Sequence, residues 1–175
     1  MKTSNRGGRI KAGGSVLVTA LLLAAPLQAQ DALVPGNTLS PELALEIAQT
    51  SLKACQGEGY QVAVAVVDRA GVPQVMLRDR YAGPHTPDTA QRKAWTAVSF
   101  RADTLTLANN TQADSAQSGA RMITNALMIG GGVPVQAAGM TVAGVGISGA
   151  PSGEADDRCA RAGIDAVRGR LELGD

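Results

Sequence analysis

The first part of the chain with a clear hydrophobic pattern is a helix that begins at Ser40-Pro41-Glu42. Serine suits the N-cap, proline fits the first helical position, and an acid near the N-terminus complements the helix dipole. Small and apolar residues then recur at helical spacing, and glycine predicts an end at Gly57 or Gly59. The residues on this face are Ala44, Ile47, Ala48, Ser51 and Cys55.

Two strands follow this helix. Gln61–Asp68 is almost entirely apolar and rich in valine, which predicts a buried strand. Val72–Asp79 predicts a second strand, with Pro73 tolerated at a strand start or at a sheet edge. Because only Arg69-Ala70-Gly71 separates the two strands, we expect an antiparallel hairpin.

A second helix and a second hairpin come next. Residues from about Pro87 to Phe100 predict a helix with one face of small residues. Val135–Ala138 and Met140–Ser148 predict another hairpin. Gly144 and Gly146 in its second strand would let a backbone or a ligand approach closely.

The last predicted element is a helix capped by Ser152. Asp156 and Asp157 complement its N-terminal dipole, and Arg168 and Arg170 complement its C-terminal end. The order helix, hairpin, helix, hairpin, helix predicts an α+β domain in which helices cover an antiparallel sheet. The single domain is expected to span residues 40–171, after an extended lead-in at residues 30–39.

Residues 1–29 have the pattern of a secretory signal peptide rather than of a folded element. Four cations precede the uncharged apolar run Ser15–Leu27, and a small residue at Ala29 precedes the expected cut. The apolar run is short for a membrane span, and a retained N-terminal anchor is the alternative. We therefore expect a periplasmic or secreted protein with no membrane association after cleavage.

Cleavage of the leader changes the charge balance of the chain. Loss of the four leader cations from 16 Lys and Arg leaves 12 against 15 Asp and Glu, and no basic run remains. Nucleic-acid binding therefore lacks an electrostatic basis.

Cys55 and Cys159 are the only two cysteines, and an even number in an oxidising compartment favours a disulfide. Two buried free thiols are the alternative.

The candidate ligand-binding residues lie close together in the chain, around the start of the second helix. His85, the only histidine, stands just before it, and Arg92, Lys93 and Trp95 lie within it. An imidazole could ligate ferric iron, and the two cations could pair with carboxylates of a flat anionic molecule. Tyr81 and Arg80, with Arg78, precede His85 and are further candidate contacts.

Each of these residues also has a purely structural interpretation. The His85 ring could cap neighbouring backbone, Arg92 and Lys93 could form a solvated helix face, and Trp95 could belong to the core. No catalytic set emerges from the serines, threonines and carboxylates, so an enzymatic role has no direct support from the residues.

Four segments, in this order, resemble the GlcG/HbpS family of haem-degrading, or DUF336, domains. They are AVAVVDRAG, GPHTPDTAQRKAWTA, GGGVPV and VAGVGISGAPSGEADDRCARAG. The resemblance covers roughly Leu39 to Arg168. It implies a profilin-like fold with a five-stranded antiparallel sheet flanked by helices on both faces, and assembly into dimers or larger homo-oligomers.

The same resemblance implies haem as the cofactor and His85 as a ligand of its iron. Arg92, Lys93, Arg80 and Tyr81 would then form the rest of the pocket. We expect an exported haem carrier, store or sensor. The alternative is an enzyme, or an enzyme-accessory protein, that acts on a small organic acid or on a corrinoid-type cofactor.

Overall fold

The structure is a computed structural model that describes residues 1–2 and 36–173 of the chain. The predicted leader, apart from residues 1–2, and the lead-in up to residue 35 lie outside the described residues. The helices are α1 (Pro41–Gly57), α2 (Thr86–Phe100), α3 (Thr104–Asn110), α4 (Gly153–Ala166) and α5 (Arg168–Leu173), with a 3-10 helix at Ser118–Met122. The strands are β1 (Ala63–Asp68), β2 (Pro73–Arg78), β3 (Gly132–Ala137) and β4 (Met140–Ser148).

The four strands form one antiparallel sheet in the order β2-β1-β4-β3. Both predicted hairpins are confirmed. The expected number of five strands is wrong for the described residues, which contain four. The hydrophobic pattern itself predicts only two hairpins, which account for four strands. The remaining described segments form helices, turns and loops.

Helices cover both faces of this sheet, as expected. Val64 and Val66 of β1 belong to the main core, which α1 and α4 complete on one face. Ala63, Ala65 and Val67 point to the opposite face, where they pack against α2. Successive side chains of a strand point to opposite faces, so a strand buried on both sides has a continuous apolar sequence.

The small-residue face of α2 lies directly on the glycines of β4. A β-carbon on Gly144 would come within 2.5 Å of the Ala94 carbonyl oxygen, and one on Gly146 would overlap the Ala90 carbonyl oxygen. The close approach predicted at these glycines is therefore made by the backbone of α2.

A disulfide joins Cys55 in α1 to Cys159 in α4, which confirms the expected pairing. Their Cα atoms lie 5.5 Å apart, although 104 positions separate them in the chain. Both side chains are fully buried in the core between the two helices.

Two predicted boundaries are corrected. β3 begins at Gly132 rather than Val135, because Gly132 already pairs with Gly146 of β4. The last helix ends at Ala166, so Arg168 and Arg170 lie in the separate helix α5. The side chains of Arg168 and Arg170 pair with carboxylates of other helices, Asp165 for Arg168 and Glu46 for Arg170.

The predicted cap at Ser152 is confirmed, since its hydroxyl accepts a hydrogen bond from the Ala155 N–H.

The described residues from 36 onward belong to one compact unit. Among the helices of the described ranges, none is both long enough and apolar enough to cross a membrane.

Candidate functional site

The loop between β2 and α2 carries Tyr81 and His85, and it is anchored from the interior. The buried Asp79 carboxylate accepts hydrogen bonds from the Val62 N–H at 3.0 Å and from Gln56 Nε2 at 2.5 Å. Just before it, the Arg78 guanidinium donates to the Ala82 carbonyl oxygen. Arg78 therefore stabilises the loop, and the loop in turn presents the side chains that follow.

This loop forms one wall of a cleft of about 740 Å³ at the N-terminal end of α2. The opposite wall is the segment Ser148–Gly153, which connects β4 to α4; in the sheet, β1 lies between β4 and β2, the strand that precedes the loop. Lys93 and Asp156 contribute to the cleft from the interior. The volume falls within the range of about 300–1,000 Å³ typical of small-molecule sites.

The His85 side chain is exposed and lines this cleft. His85 occupies the N-cap position of α2, but its side chain makes no capping hydrogen bond. The ring instead lies over Gly83, where a β-carbon would come within 2.8 Å of Cε1 and 3.0 Å of Nδ1. The imidazole is therefore not used to cap the helix.

Tyr81 lines the same cleft and is 78% exposed. Arg80, its neighbour in the chain, is also exposed but does not line the cleft. Arg92 does not line the cleft, and its Nη2 donates to the Ala126 carbonyl oxygen at 3.1 Å. The structure thus brings His85, Tyr81 and Lys93 together and leaves Arg80 and Arg92 outside.

Lys93 is a buried cation with a buried partner. Its Nζ lies 2.7 Å from Asp156 Oδ2, and the two side chains are only 3% and 4% exposed. Nζ also donates to the Ile147 carbonyl oxygen at 2.9 Å. Burial raises the pKa of Asp156 above its ordinary value, while the Lys93 ammonium opposes this shift. The alternative of a solvated helix face is therefore wrong for Lys93.

The glycine segment Gly130–Gly132 packs against this ion pair. Gly131 has a φ of 111°, and a β-carbon there would come within 2.5 Å of Asp156 Cβ and 3.0 Å of Lys93 Nζ. A side chain at Gly131 would be both strained and obstructed. The glycines therefore provide the close backbone approach that leaves room for the pair.

The HbpS-like family model, described as haem degrading protein HbpS-like, matches residues 39–165. The chain belongs to the HbpS-like family.

Two solved structures extend this assignment. The structure of a double mutant of Streptomyces reticuli HbpS is 42% identical, with a TM-score of 0.74, and the match covers 82% of this chain and 97% of that one. A structure described as a PduOC:heme complex is 28% identical, with a TM-score of 0.69, and the match covers 74% of this chain and 95% of that one.

A third solved structure shares the fold at lower identity. Klebsiella pneumoniae protein ORFY is 24% identical with a TM-score of 0.76, and the match covers 79% of this chain and 97% of that one. No curated protein sequence matches the chain significantly.

Sequence reasoning missed the ion pair of this HbpS-like domain. Lys93 follows Ala90 by three positions and precedes Ala97 by four, so it lies on the small-residue face that packs on the sheet. That spacing was the available signal for burial. Asp156 was interpreted only as a complement to the helix dipole, and its partner lies 63 positions away.

The donors in the cleft fit haem in two respects. His85 offers an imidazole and Tyr81 a phenol, and both side chains are known types of axial haem ligand. Within the described residues, no cluster of three or more His, Cys, Asp or Glu could hold a metal ion by itself.

Proposed function

We propose that this HbpS-like protein is an exported haem-binding protein that acts as a haem carrier, store or sensor. The observation that carries the proposal is an exposed imidazole, not engaged in capping, that lines a cleft together with a phenol. Haem supplies an iron centre that accepts axial nitrogen or oxygen ligands. His85 would hold the haem iron, and Tyr81 would contact the haem from the same wall.

The apolar groups around the cleft support a flat and largely apolar ligand. Ile129 lines the cleft while 47% exposed, and the exposed Pro151 lies on the opposite wall. Burial of such surface against a porphyrin would be favourable at roughly 25 cal/mol per Å². The family description and the haem complex of a relative point to the same ligand class.

The carboxylates of the ligand require cations at the rim of the cleft. Arg80 is the proposed partner nearest to Tyr81 in the chain; its exposed side chain does not line the cleft, so it would have to reach the ligand from outside the rim. Arg92 and Lys93 stay candidates, but each already has a partner, the Ala126 carbonyl oxygen for Arg92 and Asp156 for Lys93. A ligand carboxylate would compete with those partners.

Export and self-assembly are part of the proposal. The disulfide between Cys55 and Cys159 suits an oxidising compartment, and the leader pattern of residues 1–29 suits the periplasm or secretion. Exposed apolar side chains at Met122 and Ile123 are candidates for a contact between copies. Native mass spectrometry of the purified protein would report assembly size and bound cofactor together.

A haemin titration tests the proposed ligand. The purified protein is expected to develop a Soret band, and His85→Ala is expected to shift its maximum and weaken binding at least about tenfold. Gln91→Ala, an exposed residue of α2 that does not line the cleft, is the matched control. Binding of haemin with the same spectrum and affinity in His85→Ala would show that His85 is not the ligand.

A further inference from the structure

The Lys93–Asp156 ion pair joins three elements beneath the cleft. Lys93 lies in the third turn of α2, and Asp156 lies in the first turn of α4. The Ile147 carbonyl oxygen, near the end of β4, is the second acceptor for Lys93 Nζ. The Lys93 ammonium group therefore links α2, which follows His85, to β4 and α4, the two elements that flank the Ser148–Gly153 wall.

Asp156 also holds the opposite wall directly. Its second oxygen, Oδ1, accepts a hydrogen bond from the Ala150 N–H at 3.0 Å. Gly149–Ser152 has neither helical nor strand structure, so it lacks the regular hydrogen bonds that would fix its position. The Asp156 carboxylate compensates by binding the wall with one oxygen and Lys93 with the other.

Stability alone is a poor explanation for this pair. Two charges removed from water are costly, and apolar residues of similar volume often replace a buried ion pair without loss of stability. A buried ion pair is directional, however, because it requires both partners to keep their distance and orientation. Such a pair is suited to fixing the relative position of the elements that it joins.

We propose that Lys93 and Asp156 are positioning residues that set the separation between the His85 wall and the Ser148–Gly153 wall of the cleft. This inference rests on the proposed function in taking haem as the ligand. The positioning of the two walls by the ion pair does not depend on which ligand binds. A porphyrin is rigid, so a change in the separation of the walls prevents simultaneous contact with both. Loss of the pair therefore weakens binding even where the fold is intact.

The double variant Lys93→Met/Asp156→Leu separates a role of the ion pair in stability from a role in positioning the walls. Each single variant leaves one buried charge unpaired and is expected to lower the melting temperature by roughly 10 °C. The double variant is expected to melt within a few degrees of the parent, yet to bind haemin at least about tenfold more weakly. The matched control is Arg158→Met/Glu58→Leu, which removes the exposed ion pair between Arg158 of α4 and Glu58 at the end of α1 and is expected to change neither property.

Unchanged haemin affinity and Soret maximum in a folded double variant would overturn the inference. If the double variant does not fold, Asp156→Asn serves instead, since it retains the acceptor for the Ala150 N–H and removes the charge. It is expected to show the same weakening of haemin binding. Parent-like affinity in this variant would also overturn the proposal.

Hydrogen exchange in the ligand-free protein keeps this test independent of the proposed function. Absence of haemin binding by the parent protein would refute the haem proposal alone. The amides of residues 148–153 would still be expected to exchange at least about tenfold faster in the double variant than in the control pair. A change confined to the Ala150 amide, or no change, would show that the pair does not position the wall.

Discussion

The carbonyl oxygen of Ala90 in α2 occupies the space that a β-carbon on Gly146 of β4 would need. This contact brings α2 onto the sheet at backbone distance. Because His85 immediately precedes α2, the same contact helps to fix where the imidazole lies relative to β4 and the wall that follows it.

We expect Gly146→Ala to destabilise the protein by about 1–3 kcal/mol or more, because α2 must shift to admit a methyl group. Urea unfolding measures the change. Gly57→Ala is the matched control, since the added carbon meets no atom beyond its own helix backbone and chain neighbours within 4 Å. That control is expected to be neutral or to stabilise by up to about 1 kcal/mol. Equal effects of the two variants would contradict the tight contact.

The disulfide is expected to contribute about 4 kcal/mol, because it restricts a long loop of the unfolded chain. The variant Cys55→Ala/Cys159→Ala should therefore unfold at lower denaturant concentration than the oxidised parent. A reductant should lower the stability of the parent and leave that of the double variant unchanged. A parent protein insensitive to reductant after full unfolding and refolding would argue against the bond.

The contact between Gly83 and His85 gives a spectroscopic prediction. A methyl group at Gly83 would come within 2.8 Å of the imidazole Cε1, so the ring must move in Gly83→Ala. We expect this variant to keep its melting temperature within a few degrees and to shift the Soret maximum of the haemin complex. Gly119→Ala, whose added carbon has no neighbour within 4 Å, serves as the control. An unshifted spectrum would place the imidazole away from the iron.

Asp157 provides a pH prediction. Burial raises the pKa of Asp157 above its ordinary value of 3.8, and the Asp103 and Glu154 carboxylates add to the shift while Arg161 opposes it. A raised pKa in the folded state means that the folded protein binds the proton more tightly than the unfolded chain. The contribution of Asp157 to stability is therefore fully present below pH 3.8 and is lost as pH rises through the raised pKa.

Asp157→Asn is expected to remove this part of the pH dependence. The free energy of unfolding, measured by urea at several pH values from about 3 to 7, should show the parent losing stability relative to the variant as pH rises. A constant difference between parent and Asp157→Asn at every pH would contradict the raised pKa.

The family and most of the elements could be predicted from the sequence. The valine-rich run around Val64 identifies a strand, and the cap at Ser152 locates the start of α4. Both features depend on residues within a few positions of each other, which is the range over which periodicity and capping are informative. The division of the last helix after Ala166 was missed, because the charge pattern at Arg168 and Arg170 suits either arrangement.

By itself, the sequence determined the antiparallel α+β architecture, the hairpins and the position of the only histidine at the start of a helix. Only the tertiary structure decided that Lys93 is paired with Asp156, and that Ser148–Gly153 stands opposite His85 across the cleft. Local patterns report which face of an element is buried. They do not report which distant element covers that face, because that depends on how the helices pack on the finished sheet.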